Sequence, residues 1–97
     1  MTQDDILNFL RTHKQEMGQL YGVTQIGLFG SHARRTARDD SDIDILVDIN
    51  TEKRTLRNFF GLKRYLEENL GKPVDLGIED ALKPLAKQAA EKDMIHV

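Results

Sequence analysis

The strongest constraint on the fold of this chain is a segment in which apolar and polar side chains alternate almost without interruption. In Asp42–Ile49, three isoleucines and a valine fall on alternate positions, with three aspartates and one leucine between them. Because side chains alternate across a β-strand, this spacing predicts a strand with one apolar face and one acidic face. Such a strand needs neighbouring strands and a covering layer to bury its apolar side.

Three further segments are predicted as short strands. Val23–Phe29 is an apolar run too short for a helix, and a Gly-Ser pair ends it. Val74–Ile78 alternates again, with its aspartate on the face opposite the apolar side chains. Residues 94–97 add a candidate edge strand at the end of the chain.

Helical periodicity marks the segments between these strands. The predicted helices run over about Asp4–Leu20, His32–Arg38, Leu56–Leu70 and Pro84–Lys92. Thr2 and Asp5 have the spacing of a capping box at the first helix. Leu20 is expected on the buried stripe of that helix, and Phe59 and Phe60 are expected in the core. The alternation of helices and strands predicts a sheet covered by helices.

Length and composition fit one small domain over residues 1–97. The formal net charge of −2 argues against non-specific nucleic-acid binding, which usually shows a basic excess, so no direct nucleic-acid contact is expected. The absence of cysteine excludes a disulfide framework and a thiolate metal site. Because no segment has the length and apolarity of a membrane span, we expect no membrane association and a cytoplasmic location.

Three aspartates are the first candidates for chemistry. Asp42 and Asp44 lie two residues apart on a predicted strand, so their side chains share one face. Asp75 would join them if its strand were a neighbour of theirs. Three such carboxylates favour a divalent cation, and Mg²⁺ typically takes one or two carboxylates together with substrate phosphates. The residues alone leave a second interpretation open, namely the solvated outer face of an edge strand.

The Gly-Ser pair joins the first predicted strand to the short helix. Gly30 lets the backbone approach a ligand closely, and the start of the helix at Ser31 offers N–H groups to a phosphate. Arg34 lies nearby and could neutralise phosphate charge, whereas Ser41 could cap its own turn or orient Asp42. Taken alone, a Gly-Ser pair at such a junction is more often only a tight turn.

The order and spacing of these residues resemble the nucleotidyltransferase superfamily that includes DNA polymerase β and kanamycin nucleotidyltransferase. Gly30-Ser31, ten further residues and Asp42-Ile43-Asp44 reproduce its Gly-Ser-x10-Asp-x-Asp signature. The strings Gly-Ser-His-Ala-Arg, Ser-Asp-Ile-Asp-Ile-Leu-Val and Lys-Pro-Val-Asp-Leu are similar to those of the minimal nucleotidyltransferase (MNT) subfamily. The resemblance covers nearly the whole chain. It implies the nucleotidyltransferase fold, an α/β (α+β) domain with a small mixed β-sheet of three to four strands covered by helices.

The resemblance also implies roles for most of the candidate residues. Gly30 and Ser31 would bind the β- and γ-phosphates of the nucleotide. Arg34 and Ser41 are added to the predicted nucleotide-binding residues from their positions beside this turn and before Asp42, not from the resemblance. The catalytic residues, which would also bind Mg²⁺, would be Asp42, Asp44 and Asp75. The implied reaction is displacement at the α-phosphorus of ATP, with pyrophosphate as the leaving group.

The activity implied by the resemblance is that of a Mg-dependent protein adenylyltransferase. MNT proteins typically act as antitoxins that adenylylate a HEPN-domain ribonuclease toxin, so a HEPN toxin is the implied partner. Two alternatives remain open: a binding module that neutralises its toxin by direct complex formation without catalysis, and a small-molecule nucleotidyltransferase of the antibiotic-modifying kind. The sequence leaves a homo- or hetero-oligomer equally open.

Two residues depart from the family pattern. Relatives commonly have glycine after the Ala-Arg, whereas this chain has Arg35, which is expected to stiffen or reposition the short helix. Gly77 interrupts the apolar run of its strand and predicts a bulge near Asp75.

His32 is not one of these departures, and its side chain is expected on the surface of the short helix.

Overall fold

Four helices alternate with four strands in the computed structural model, which describes residues 1–97. In chain order they are α1 (Gln3–Tyr21), β1 (Val23–Phe29), α2 (Gly30–Ala33), β2 (Ile43–Ile49), α3 (Leu56–Leu70), β3 (Val74–Ile78), α4 (Pro84–Asp93) and β4 (Ile95–His96). Single 3₁₀ turns at Thr51–Lys53 and Glu79–Ala81 follow β2 and β3. None of the helices is both long enough and apolar enough to cross a lipid bilayer.

The ends of α1 follow the predicted signals. The Thr2 hydroxyl accepts a hydrogen bond from the Asp5 backbone N–H (3.2 Å), and the Asp5 carboxylate accepts one from the Thr2 N–H (2.9 Å). These hydrogen bonds lower the pKa of Asp5. Gly22 then ends the helix in the left-handed conformation, with φ of 73°. The capping box expected from the Thr2 and Asp5 spacing is therefore confirmed.

The sheet has the strand order β3-β2-β1-β4. β2 runs parallel to β3, while β1 is antiparallel to both of its neighbours, β2 and β4. The sheet is therefore mixed and four-stranded, and the fold class expected from the sequence is confirmed. The predicted edge strand is present as β4.

One face of the sheet is covered by α1 and α3 and forms the core with them. Ile6 and Leu10 of α1 and Leu62 and Leu66 of α3 are fully buried. They belong to one apolar cluster with the alternate residues of β2, namely Ile43, Ile45, Val47 and Ile49. The opposite face, called here the outer face, carries the intervening residues of β2 and therefore its acidic side chains.

The short helix is shorter than predicted, because it ends at Ala33 instead of Arg38. The Arg34 N–H closes its single turn on the Gly30 carbonyl (3.1 Å). Arg35 then adopts a φ of +61°, which is incompatible with continuing a right-handed helix. Arg35 is one of the two residues at which the sequence was expected to depart from the family pattern, and it coincides with the end of the helix.

Two side chains predicted to be buried are exposed. Leu20 is 54% exposed and Phe60 is 52% exposed, whereas Phe59 packs partly against the core. On α3 the buried positions Leu62 and Leu66 define the face that meets the sheet. Phe60 lies off that face because residues adjacent in sequence are about 100° apart around a helix.

Gly77 does not mark a bulge, so that prediction is wrong. The β2–β3 register runs without interruption, and Gly77 pairs with Leu46 on the outer face. A Cβ atom on Gly77 would lie 3.0 Å from Leu46 Cδ2, so the glycine makes room for a leucine that is only 2% exposed. The irregularity in the sheet lies instead between Val23 and Gln25 of β1.

Candidate functional site

The parallel pairing of β2 and β3 places two of the predicted aspartates side by side. Asp44 and Asp75 are partners in the register, so their side chains leave the outer face from adjacent strands about 4.8 Å apart. Asp42 immediately precedes β2 and lies on the same side of the chain as Asp44. All three aspartates predicted from the sequence therefore face one region at the start of these two strands.

Asp44 is the most constrained of the three carboxylates. It is half-buried, whereas Asp42 and Asp75 are exposed. Burial raises the pKa of Asp44, and the negative charges of Asp75 and Asp42 raise it further. The positive charge of Arg34 acts in the opposite direction. The site therefore carries an excess of negative charge that a bound cation would relieve.

Gly30 is shaped by its contact with Asp44. Its φ of +73° lies in the left-handed region that favours glycine. A Cβ atom at this position would lie 2.1 Å from Asp44 Oδ2. No other residue fits here without moving the carboxylate, so the glycine of the Gly-Ser pair and the aspartate of the Asp-x-Asp pair form one packed unit.

The other predicted nucleotide-binding residues lie around this unit. Ser31 is in the single turn of α2 directly after Gly30. The Arg34 guanidinium lies 3.4 Å from Asp93 of α4, and it also influences Asp44, so it bridges the site and the last helix. The Ser41 hydroxyl accepts a hydrogen bond from the Arg38 N–H (2.9 Å), which is the local turn cap considered from the sequence.

His32 is buried, although it was expected on the surface. Its side chain is 3% exposed, and its Nδ1 atom has no hydrogen-bond partner. Burial lowers the pKa of His32, and the positive charge of Lys72 lowers it further, while the Asp42 backbone has the opposite effect. The ring therefore lies beneath the turn, near the backbone that carries Asp42. A single-turn helix gives too little periodicity to predict this orientation.

Glu79 is a buried acid that the sequence reasoning did not single out. It is 6% exposed, and its carboxylate lies 3.8 Å from His96 Nε2. Burial raises the pKa of Glu79, the charge of Asp48 raises it further, and His96 opposes both effects. The sequence did contain a signal for Glu79. Residues 75, 77 and 79 fall on alternate positions, so continuing the strand alternation from Asp75 through Gly77 would have placed Glu79 on the outer face as well.

The aspartates fit a hard divalent cation, with one restriction. No group of three or more acidic or histidine side chains converges closely enough to enclose a metal ion. Mg²⁺ usually takes one or two carboxylates and completes its octahedral shell with water and substrate phosphates. Two adjacent carboxylates with a third nearby, beside a glycine turn open to a ligand, are therefore compatible with Mg²⁺ bound together with a nucleotide.

Known proteins share this fold. The nucleotidyltransferase domain family matches residues 10–97. The protein adenylyltransferase MntA of Thermococcus cleftensis is 39% identical over 100% of this chain and 97% of its own length. A solved minimal nucleotidyltransferase is 33% identical, covers 98% of this chain and 95% of its own, and superposes with a TM-score of 0.83.

A more distant structural relative comes from a complex. A chain of the tri-AMPylated Shewanella oneidensis HEPN toxin in complex with MNT antitoxin superposes with a TM-score of 0.70 at 20% identity, covering 98% of this chain and 71% of that one. At this identity the likeness concerns the fold alone. This chain belongs to the nucleotidyltransferase domain family, and the family resemblance predicted from its motifs is confirmed.

Proposed function

We propose that this chain transfers AMP from ATP to a hydroxyl side chain of a partner protein, and that the partner is a HEPN-domain toxin that it neutralises as an antitoxin. The observation that carries the proposal is the pairing of Asp44 with Asp75, with Gly30 packed against Asp44. The full-length similarity to a protein adenylyltransferase supports the transfer, and the structural likeness to the HEPN–MNT complex supports the partner.

Each residue of the site has a role in this proposal. Asp42 and Asp44 hold Mg²⁺, which when bound offsets the charge of the triphosphate. Gly30 and Ser31 bind the β- and γ-phosphates through the backbone N–H groups of the turn. The missing side chain of Gly30 lets Asp44 pack directly against this turn, so the carboxylate and the phosphates lie close together. Two further residues have supporting roles. Arg34, whose charge already acts on Asp44, neutralises part of the phosphate charge, and Ser41 caps the turn before Asp42.

The reaction is an in-line displacement. The acceptor oxygen forms a bond to the α-phosphorus of ATP while the bond from that phosphorus to the bridging oxygen of the β-phosphate breaks. The electron pair leaves with pyrophosphate, and Asp75 accepts the proton of the attacking hydroxyl. Most of the rate enhancement comes from positioning and from charge neutralisation, because the protein forms no covalent bond to the substrate.

The test is a mass measurement on the partner. The chain is incubated with ATP, Mg²⁺ and the protein encoded by the neighbouring open reading frame, which we expect to be a HEPN-domain toxin, and the intact mass of that protein is recorded. We expect AMP-sized additions with the native chain. We expect none with the double variant Asp42→Asn/Asp44→Asn. Absence of any addition by the native chain, under conditions in which the two proteins form a complex, would contradict the proposal.

A matched variant separates loss of chemistry from loss of structure. Asp48 lies on the same face of the same strand, and its carboxylate accepts a hydrogen bond from the Asp80 N–H (3.2 Å) that an asparagine oxygen can also accept. Asp48→Asn should therefore keep AMP transfer. If the double variant still neutralises the toxin without transferring AMP, neutralisation works by direct binding, which is the alternative left open by the sequence.

A further inference from the structure

An apolar groove lies beside the start of α3, away from the three aspartates. It has a volume of about 370 Å³. It is lined by Ile49, Arg54, Thr55, Leu56, Phe59, Ile78 and Ala81, and is called here the α3 groove. Leu56 at its edge is 77% exposed, and Phe60, one turn further along the helix, is 52% exposed. Two large apolar side chains beside an apolar concavity form a patch, whereas single exposed apolar side chains are common.

The α3 groove lies at the opposite end of the strands from the candidate site. Ile49 and Ile78 are the last residues of β2 and β3, whereas the aspartates lie at the starts of these strands. Six residues of extended chain from Ile43 to Ile49 span about 20 Å. A molecule seated in the groove therefore leaves the carboxylates and the Gly-Ser turn accessible.

The exposed face of α3 beside the groove is basic, although the chain as a whole carries a net charge of −2 and the exposed acids Glu52 and Asp80 adjoin the other lining segments. Residues 53–64 contain five lysines and arginines and no acidic residue. Arg57 and Arg64 are exposed and take part in no ion pair of this structure, whereas Arg54 is paired with Asp80. On α3 these two arginines lie three residues before and four residues after Phe60, so they flank the phenylalanine on one helix face.

We propose that the α3 groove docks an amphipathic segment of a partner protein, with apolar side chains in the groove and acidic side chains facing Arg57 and Arg64. The lining favours a protein over RNA, because most of it is apolar and its two polar side chains already have partners within the chain. Arg54 donates to the Ile49 carbonyl and to Asp80. The Thr55 hydroxyl accepts from the Asn58 N–H, so phosphates and bases would find few free hydrogen-bonding groups. A second copy of this chain is disfavoured, because a symmetric interface would bring the same basic side chains together. The proposal extends the proposed function, because the α3 groove would be the docking site for the acceptor protein. Docking at the groove does not require AMP transfer.

The experiment is an NMR titration of the full chain with a designed probe. The probe is a helical peptide of about four turns, with leucines on one face and glutamates on the other. We expect chemical-shift changes centred on the residues of the α3 groove. Leu56→Ser and Phe60→Ser should each weaken binding about tenfold, as for an apolar anchor of an interface. Leu85→Ser is the matched control, since Leu85 is 82% exposed on α4 and lies outside the groove.

Charge reversal tests the acidic part of the proposal. The double variant Arg57→Glu/Arg64→Glu should lose the glutamate peptide and gain binding to the same peptide with lysines in place of the glutamates. Shift changes centred elsewhere, or binding indifferent to Phe60→Ser, would overturn the proposal. So would tighter binding of single-stranded RNA than of the peptide, or a dimer in solution that Phe60→Ser abolishes.

The outcomes also separate this proposal from the proposed function. Asp42→Asn/Asp44→Asn should bind the peptide as the native chain does. Peptide binding at the groove without any AMP transfer would leave the docking surface standing while the transferase proposal fails.

Discussion

At the scale of single residues, Arg35 has a backbone conformation that its side chain does not favour. Its φ of +61° directly follows the turn that carries Gly30 and Ser31. For a residue with a Cβ atom, this conformation costs about 1–2 kcal/mol. The only ion pair of its guanidinium is with Asp4 at 3.6 Å, and both side chains are mostly exposed, so the pair contributes little. Local strain is thus stored beside the candidate site.

Arg35→Gly should therefore stabilise the protein. Glycine relieves the left-handed strain, and the gain is partly offset by about 0.5–1 kcal/mol of additional chain entropy in the unfolded state. We expect a net gain of about 0.5 kcal/mol in the free energy of unfolding, measured by urea denaturation followed by circular dichroism. Arg38→Gly, at an exposed position with negative φ, is the control and should destabilise. Equal effects of both substitutions would contradict the argument.

Residue-scale features were also the hardest to predict from the sequence. The Gly-Ser pair and the aspartates were found by their spacing, because a strand presents every second side chain on one face. His32 was misplaced because its burial depends on how α2 packs against the sheet, which a segment of four helical residues does not reveal. Arg35 departs from the family pattern, yet only the backbone geometry shows that it ends the helix.

At the scale of elements, the β2–β3 pair assembles the candidate site. A parallel neighbour brings Asp75 into register with Asp44, whereas β1 on the other side contributes the turn at Gly30. Strand existence could be predicted from alternation, and helix ends from capping residues. The strand order could not be derived from periodicity, because pairing is decided by contacts between segments far apart in the sequence. The role of Gly77 was missed for the same reason, because it depends on the pairing of Gly77 with Leu46. The exposure of Phe60 follows instead from its position around α3.

Asp44→Asn should stabilise the metal-free protein near neutral pH. Because the pKa of Asp44 is raised on folding, the folded state binds its proton more tightly than the unfolded state does. The corresponding stability is fully present below the ordinary pKa of an aspartate and is lost as the pH rises through the folded pKa. Asparagine removes the repulsion, so we expect a gain of up to about 1 kcal/mol at pH 7, since solvent screens the charges.

The measurement is urea denaturation at pH 7 and near pH 3, without added metal. The stabilising effect of Asp44→Asn should disappear at the lower pH, where the native carboxyl is protonated as well. Asp40→Asn, in the exposed loop before β2, should change stability by less than about 0.5 kcal/mol at either pH. Equal stabilisation by Asp44→Asn at both pH values would show that charge repulsion is not the cause.

At the scale of the whole molecule, β2 and β3 connect two different surfaces. Their starts carry Asp44 and Asp75, and their ends meet the apolar α3 groove, which is bordered by the basic face of α3. The buried faces of α1 and α3 lie between these regions and hold the strands in register. A partner protein docked at the groove and a nucleotide at the aspartates could therefore be bound at the same time.

Simultaneous binding of Mg²⁺ and ATP should raise the melting temperature of this small protein. A ligand that binds only the folded state stabilises it by about 1.4 kcal/mol at ten times its dissociation constant. For a domain of about 100 residues, each kcal/mol shifts the melting temperature by roughly 4–8 °C, so an increase of several degrees is expected.

ATP without Mg²⁺ should give a smaller increase in the melting temperature, because the negative site then repels the triphosphate. In Asp42→Asn/Asp44→Asn the additional effect of Mg²⁺ should vanish, as judged from the shift on ligand addition and not from the absolute midpoint. A Mg²⁺-dependent shift of unchanged size in that variant would place the nucleotide elsewhere on the molecule.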